Sequence, residues 1–412
     1  MPRINSIRVF EHQSIAYKGR HALKGFTRVQ FEAFESYFQA NEYNPFFDLI
    51  PYGVRFKEYV GAIQVGSTTI EVLPKAGKLG DEDCWQKVLL DMLKACHLLT
   101  ARETGVANLR LRANSVLELY FELYVAELEQ LLHRGLIKKY RKREGQQRSL
   151  KGSLVFSEHL SRNIVHKERF YTRHNVYDRN HLLHQVLHEA LLLVDALSNS
   201  PFLKDRIGRL QLYFPKVNSL QVKVRHFDRL KIDRKSYPYR KALEIAKLLI
   251  LNYRPDISAG RQNLLAIMFD MNRLWEEYVY RILKKEAPSH WKVKAQQNHL
   301  FWEAKRIRPD LVLENTESGE IFVIDTKWKV IDRTKPADDD LKQMYVYNHH
   351  WNSALSLLLY PGTSTQKDYL GTFSLTLAGK EHRCKLSFVE VIQGKGLRQD
   401  IGQQIFDKLN LL

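Results

Sequence analysis

Cysteine is scarce. The 412 residues contain three, Cys84, Cys96 and Cys384, odd in number, far apart and in no Cys-x-x-Cys pairing. That excludes a disulfide-stapled scaffold and a zinc ribbon, fits a reducing cytoplasm, and marks the three as small buried residues. Long apolar runs are also missing. The most apolar window, Leu182 to Leu197, is broken by His184, His188, Glu189 and Asp195, and nothing reaches the roughly 18–20 residues of a membrane-spanning helix. The start, Met-Pro-Arg-Ile-Asn-Ser, has no basic segment followed by an apolar stretch, so a soluble chain without a leader is expected. No G-x-x-x-x-G-K-[ST] occurs: the nearest string, Gly77-Lys78-Leu79, lacks the upstream glycine and the Ser/Thr. Any nucleotide hydrolysis must then come from another polypeptide. Repeats and low-complexity segments are lacking as well.

What is present is basic charge on a chain able to fold. Lys and Arg total 64 against 46 Asp and Glu, a net +18, while 44 % of residues are apolar and aromatics run throughout. At about 150 residues per domain the length allows two or three domains, and a folded protein with a polyanionic partner is expected. Residues 131–180 hold 13 basic and four acidic residues, half of the net charge in one patch.

The pattern divides the chain into a β-rich segment 1–80, a mainly helical, basic segment 81–255 and a segment 256–412 with an order of its own, an α+β multidomain protein. Ile63-Gln64-Val65 and Thr69-Ile70-Glu71-Val72-Leu73 flank Gly66-Ser67 as a hairpin ending at Pro74-Lys75-Ala76-Gly77, with Ile70 and Val72 on one face. Helical spacing runs from Cys84 through Trp85, Val88, Leu89, Met92 and Leu93 to Cys96. It returns over Leu117 to Leu132, with Gly135 as C-cap, and over Leu182 to Leu197. After the break at Asn252-Tyr253-Arg254-Pro255-Asp256 the expected order is αβββαβ: helix Gln262 to Lys285, strand Trp291 to Gln297, hairpin Arg306 to Glu314 and Glu320 to Trp328, helix Asp338 to Asn352, then strands from Leu355.

The most informative chemistry is in Arg308-Pro309-Asp310 and Ile324-Asp325-Thr326-Lys327. Turn residues Asn315 to Glu320 separate two aliphatic runs, and a hairpin centred there sets Asp310 opposite Asp325, with Cβ atoms about 5 Å apart. Lys327 shares their face and Thr326 points away. Like charges in that position are destabilising unless compensated. A divalent cation compensates them, and hard oxygens with room for water and phosphate suit Mg²⁺. Lys327 beside it either orients or deprotonates water, or neutralises phosphate charge. The constellation reads as metal-assisted phosphodiester hydrolysis. The rival is a hairpin with ordinary surface ion pairs, which the continuous apolar run Ile321-Phe322-Val323-Ile324 disfavours, because such a strand is buried on both faces and charge at its end is costly. On the preceding helix Glu276 or Glu277 leans toward the metal, Glu276 being favoured; on the later helix Gln343 and Tyr347, four apart, share a face from which to contact phosphate or hold the lysine.

Two other readings compete. His184-Gln185-Val186-Leu187-His188 puts two imidazoles on one helical face, but Gln185 replaces the glutamate of a zinc hydrolase and no third ligand stands out. His349 and His350 read as helix-end residues with a DNA contact open to them. A purely binding protein is the second alternative: Lys138, Lys139, Arg141, Lys142 and Arg143 around Tyr140, and the Arg225 to Arg240 run with Phe227, Tyr237 and Tyr239, can grip a DNA backbone without reading sequence.

Asp310 after proline, the Asp325-Thr326-Lys327 strand end and the Gln343/Tyr347 helix resemble the PD-(D/E)xK nuclease superfamily. Arg308-Pro309-Asp310-Leu311-Val312-Leu313, Val323-Ile324-Asp325-Thr326-Lys327-Trp328-Lys329 and Asp340-Leu341-Lys342-Gln343-Met344-Tyr345-Val346-Tyr347 closely resemble the McrC family, the nuclease subunits of McrBC-type restriction systems. Leu274-Trp275-Glu276-Glu277-Tyr278-Val279 is similar to that family's helix before the hairpin. Glu58-Tyr59-Val60-Gly61-Ala62-Ile63 with Thr69 to Lys75, together with Arg134-Gly135-Leu136, Leu150-Lys151-Gly152 and Tyr177-Asp178-Arg179-Asn180, extend the similarity over most of the chain.

The resemblance implies a Mg²⁺-dependent endonuclease acting on double-stranded DNA carrying 5-methylcytosine. Asp310 and Asp325, with Glu276, would hold the metal, and Lys327, Gln343 and Tyr347 would complete the site. It also implies a McrB-like, GTP-hydrolysing AAA+ hexamer that carries DNA specificity and translocation, into which the amino-terminal part docks and whose GTPase it stimulates. A standalone or differently partnered PD-(D/E)xK DNA nuclease and a non-catalytic basic DNA-binding scaffold remain the alternatives.

Overall fold

The computed structural model describes residues 5–40, 44–75, 80–96, 115–254, 264–331, 336–353, 355–363, 365–374 and 381–410. The end of the expected stop at Ala76-Gly77, the Gly77-Lys78-Leu79 string, the Pro255-Asp256 break and the expected helix start at Gln262 lie outside them. Among the described residues no helix is long and apolar enough to cross a membrane. The chain forms two compact units, Met1–Gly105 with Asp256–Leu412, and Val106–Pro255. The stretches 1–80 and 256–412, separate in the sequence reading, therefore share one unit.

The reason is a strand where a helix was expected. Leu264-Leu265-Ala266-Ile267-Met268-Phe269 is uninterruptedly apolar, and Leu264–Asp270 is a strand lying antiparallel to Tyr59–Val65, with Ile267 opposite Ala62. A short apolar run has no decisive period, and its partner is some 200 residues away. The helix begins only at Met271 and runs to Glu286, where Asp270 caps it by accepting from the Asn272 and Arg273 N–H groups. The expected hairpin is present: Tyr59–Val65 pairs antiparallel with Thr68–Leu73, which pairs parallel with Asn5–Phe10. A second small sheet of Ser14–Ala16, Gly53–Phe56 and Phe47–Ile50 joins it. Helix Arg28–Ala40, unforeseen in the β-rich reading, starts with a reciprocal Thr27/Gln30 capping box. Its Phe34 packs edge-on to Phe47 in a core with Ile7, Ile63, Ile70 and Val72.

The second sheet runs Trp291–Ala295, Leu311–Asn315, Ile321–Thr326, Leu355–Gly362, Arg383–Glu390, Tyr369–Thr372. The first three strands are antiparallel to their neighbours, and the next two join Ile321–Thr326 in parallel. Helix Asp338–His350 makes the crossover between the parallel pair and covers one face through Met344 and Tyr347 against Val312, Val323 and Leu358. On the other face Phe406, from helix Ile401–Asn410, meets Trp291, which meets Phe322. Between the first two strands an unforeseen hairpin, His299–Trp302 with Lys305–Ile307, is inserted.

The Val106–Pro255 unit contains helices Val116–His133, Leu182–Leu197, Pro201–Tyr213 and Arg240–Asn252, the first and second close to the sequence expectation and Gly135 at φ +81° ending the first. Within this mainly helical unit the basic run is extended. Lys139–Gln147 is a strand paired with Phe170–Asp178, its exposed Lys142 and Arg143 on a ladder whose one partner edge is the short Ser153–Leu154. Arg141 is tied to Asp178 and Lys139 faces Asp233. Tyr140 stacks beside Tyr177, as cross-strand aromatics do.

Gly61 sits at φ +142°, and a Cβ there would lie 2.1 Å from the Ile267 carbonyl oxygen. Gly61→Ala should therefore destabilise the protein by on the order of 2–3 kcal/mol, whereas Gly145→Ala, whose Cβ meets nothing within 4 Å, should stay within about 0.5 kcal/mol. Thermal unfolding of both variants measures the difference.

Candidate active site

Strands Leu311–Asn315 and Ile321–Thr326 pair in the register expected from their turn, Leu311 with Ile324 and Val312 with Val323. Asn315 sets the turn by accepting from the Glu317 and Ser318 N–H groups. The ladder stops at Leu311, and Asp310 lies in the bend after Pro309. Its carboxylate thus reaches over the strand end. Oδ2 accepts from Thr326 N–H at 2.7 Å and from the Thr326 hydroxyl at 2.9 Å. This corrects the expectation that Thr326 points away from the site: beyond the ladder the face alternation no longer governs Asp310. Asp325 stands on the sheet interior beside Leu358 of the parallel strand, 2 % exposed.

Lys327 follows the strand, its N–H bonded to the Leu359 carbonyl and its Nζ 2.8 Å from Asp325 Oδ2. The contact is a buried ion pair at the strand end. Lys327 Nζ is also 3.6 Å from Asp340 Oδ1, and Asp340 holds Lys329 at 2.6 Å. Burial, reinforced by the Asp310 charge, lifts Asp325 to about 7 against the pull of Lys327. Burial also raises Asp310, opposed by the Thr326 donors. At Lys327 burial acts to remove the proton, but Asp325, Asp340 and Asp310 together outweigh it and hold the ammonium above the ordinary lysine value.

The flanking residues converge on the same bend. Gln343 donates to the Tyr347 hydroxyl at 2.6 Å, and that hydroxyl donates to the Arg308 carbonyl at 2.9 Å. Two residues before Asp310, the backbone is thereby clamped. Gln296, at φ +49°, donates its N–H to the Asp310 carbonyl, and its side chain links Glu276 Oε1 at 2.8 Å to Arg308 at 3.4 Å. A non-glycine residue in the left-handed region persists where its surroundings over-determine it. Burial and then the Asp310 charge raise the pKa of Glu276, whereas Glu277 pairs with Arg281 one turn on. Among the described residues no three His, Cys, Asp or Glu side chains are arranged as a ready-made metal cage.

Sequence reasoning missed Thr326, Gln296, Asp340 and Glu11. Asp340 had a signal, standing three and seven residues before Gln343 and Tyr347 on one helical face. Glu11 had none. Its buried Oε1 accepts from Trp328 Nε1 at 2.8 Å and from the Lys75 N–H at 2.7 Å. Trp328, next to Lys327, also packs on Trp275 and Trp85. The imidazole pair has no site. His184 is buried with Nδ1 2.8 Å from the Arg179 carbonyl and Nε2 3.4 Å from the Tyr239 hydroxyl, and burial brings it down to about 4. Cys84, Cys96 and Cys384 are buried and free, as expected.

A mixed α+β protein with a buried carboxylate, a half-buried second one and a lysine at the end of a parallel-edged central strand is thus defined. Its sequence matches, over residues 54–361, the family described as McrBC 5-methylcytosine restriction system component, and the chain belongs to that family. Two solved chains share its fold. One is from the refined half-complex of a tetradecameric assembly of Thermococcus gammatolerans McrB AAA+ hexamers with bound McrC, at TM-score 0.70 and 19 % identity over 99 % of this chain and 100 % of that one. The other, from the Thermococcus gammatolerans McrBC complex, has TM-score 0.50 and 19 % identity over 68 % of this chain and 88 % of that one. No curated protein matches the chain.

Burial lifts Glu11 to about 7, so the native state holds a proton there that the unfolded chain releases near 4.5. Its contribution to stability is therefore fully present below about 4.5, falls as pH rises to about 7, and is flat above. Glu11→Gln keeps the acceptor for Trp328 and removes the titration. Relative to wild type the variant should be more stable at pH 8 than at pH 5 by on the order of 2–3 kcal/mol. Denaturant unfolding at the two pH values measures it; an equal difference at both would show that Glu11 does not titrate.

Proposed function

We propose that this chain is the Mg²⁺-dependent DNA endonuclease subunit of a McrBC-type restriction system, cutting duplex DNA that carries 5-methylcytosine. The observation that carries the reading is the Asp310–Asp325 pair with Lys327 at the strand end. Family membership supports the restriction context. The order helix 271–286, strands 291–295, 311–315 and 321–326, helix 338–350, strand 355–362 supports a PD-(D/E)xK core, with the 299–307 hairpin as an insertion.

The donor set suits the metal. Asp325 is buried with Lys327 Nζ 2.8 Å from its Oδ2, Asp310 lies at the same strand end, and two hard carboxylates with remaining positions for water and phosphate match Mg²⁺. Asp310 and Asp325 would hold the ion, and Glu276, engaged by Gln296, would act through an outer contact. Bound there, Mg²⁺ supplies charge for the scissile phosphate and a more acidic water. The chain's own residues do the rest. Thr326 fixes the Asp310 carboxylate, and Tyr347, itself held by Gln343, fixes the backbone before it. Lys327, an ammonium held by three carboxylates, is suited to neutralise charge developing on phosphate rather than to accept a proton.

By likeness to the chains of the McrB–McrC assemblies, the partner is a McrB-like AAA+ GTPase hexamer, whose GTP hydrolysis this chain would stimulate and whose ring would supply DNA specificity. The Lys138, Lys139, Arg141, Lys142 and Arg143 run offers its exposed members to DNA backbone or to that ring.

The test is cleavage of methylated duplex with Mg²⁺, GTP and a McrB-like AAA+ GTPase, each component omitted in turn. Asp310→Asn, Asp325→Asn and Lys327→Ala should each lower cleavage by about 100-fold or more while DNA binding persists. Cleavage unaffected by Asp310→Asn and Asp325→Asn would overturn the site, and a DNA-binding scaffold would show no change in activity at all.

A further inference from the structure

The inserted hairpin His299–Trp302 and Lys305–Ile307 carries three large apolar side chains on its outside. Leu300, Phe301 and Trp302 are 61 %, 52 % and 59 % exposed, and single exposed apolar residues are common whereas three in succession are not. Lys305 and Arg306 on its second strand and Arg308 just beyond it are all exposed, with Glu303 as the one acid between residues 296 and 308. Lys305 Nζ lies 5.5 Å from the Trp302 ring centroid. This surface is both aromatic and cationic.

Its base is fastened to the candidate active site. His299 stacks on Trp351 at 4.3 Å and 17°, Trp351 Nε1 donates to Gln297, and Phe301 meets His350. Trp351 in turn lies edge-on to Tyr347, whose hydroxyl holds the Arg308 carbonyl. Ile307 ends the hairpin three residues before Asp310, a reach of at most about 10 Å along the backbone. The tip is thus exposed while the root is rigid, which is how a side chain is held out to a ligand that has yet to arrive.

We propose that the 299–307 hairpin is the DNA-contacting wedge of the cleavage site: Trp302, with Phe301, stacks on or inserts beside bases next to the scissile phosphate, and Lys305, Arg306 and Arg308 engage the flanking phosphates. The commitment to nucleic acid rests on charge. A protein-docking patch is depleted of lysine at its centre, whereas cations interleaved with aromatic faces are what base stacking and phosphate neutralisation together require. The inference deepens the proposed nuclease reading and depends on it for the word scissile, but the DNA contact itself is independent of cleavage.

The experiment is anisotropy of a fluorescein-labelled 30-base-pair duplex with the whole chain, in EDTA so that nothing is cut. Lys305→Glu/Arg306→Glu should weaken binding at least about tenfold at low salt and reduce the dependence of log K on log salt by about two contacts. Trp302→Ala should weaken duplex binding about fivefold or more while binding to heparin, which has charge but no bases, is unchanged. Wild-type affinity for duplex in both variants overturns the proposal. So does a defect confined to self-association or to association with the AAA+ partner in sedimentation velocity, which would make the surface a protein interface. Loss of duplex binding in the hairpin variants, with no cleavage by wild type under any condition, keeps the wedge and removes the nuclease reading. Cleavage that needs Asp310 but is indifferent to the hairpin does the reverse.

Discussion

A carboxylate buried at the end of an apolar strand is the constraint on which the rest of the 256–412 region depends. Removing Asp325 from water disfavours its charge, and Asp310 beside it disfavours the charge further. The fold tolerates this only because compensation arrives from several elements: Lys327 from the same strand end, Asp340 steadying that lysine from the next helix, Thr326 gripping the second carboxylate. The contribution of Asp340 needs the parallel crossover, since Asp338–His350 connects Ile321–Thr326 to the strand Leu355–Gly362 that returns beside it. Topology, packing and local charge are here one problem.

The same logic explains why support comes from so far away. Trp328 is wedged among Trp85, Trp275 and Glu11, so the segment bearing the lysine is fixed from one side by the amino-terminal sheet and from the other by helix Met271–Glu286. The amino-terminal strands are therefore part of the scaffold of the site. A buried glutamate with a pKa near neutrality is costly to keep as an anion, and its retention at the contact with Trp328 is accounted for by the two donors it satisfies.

Where the sequence was legible, the determinants were local. The 315–320 turn chemistry fixed the register that brings Asp310 to Asp325, the i, i+4 spacing found Gln343 and Tyr347, and helix Leu182–Leu197 was read to its observed ends because its apolar periodicity lies inside the segment. Where it was not, the decisive partner was distant or the backbone irregular. Strand Leu264–Asp270 is a strand because Tyr59–Val65 accepts it. Gln296 and Glu303 adopt left-handed backbone that no side-chain pattern announces, the first before the unforeseen hairpin and the second in its turn. Helix Arg28–Ala40 was overlooked despite its Thr27/Gln30 box, because the flanking β pattern dominated that region. Thr326 was misplaced by applying strand alternation one residue beyond the ladder.

Glu11 and Trp328 are joined by one hydrogen bond across 317 positions, and the strand that completes the amino-terminal sheet is made only after the 106–255 unit. On the ribosome, at about 5–20 residues per second, the first strands wait ten seconds or more, on the order of a folding time for many slow domains, before their partner emerges. During that interval neither half can assemble the carboxylates with the lysine. The cluster of Asp310, Asp325 and Lys327 thus acquires its full support only once synthesis has passed the last strand of its sheet, an order of assembly set by the order of the chain.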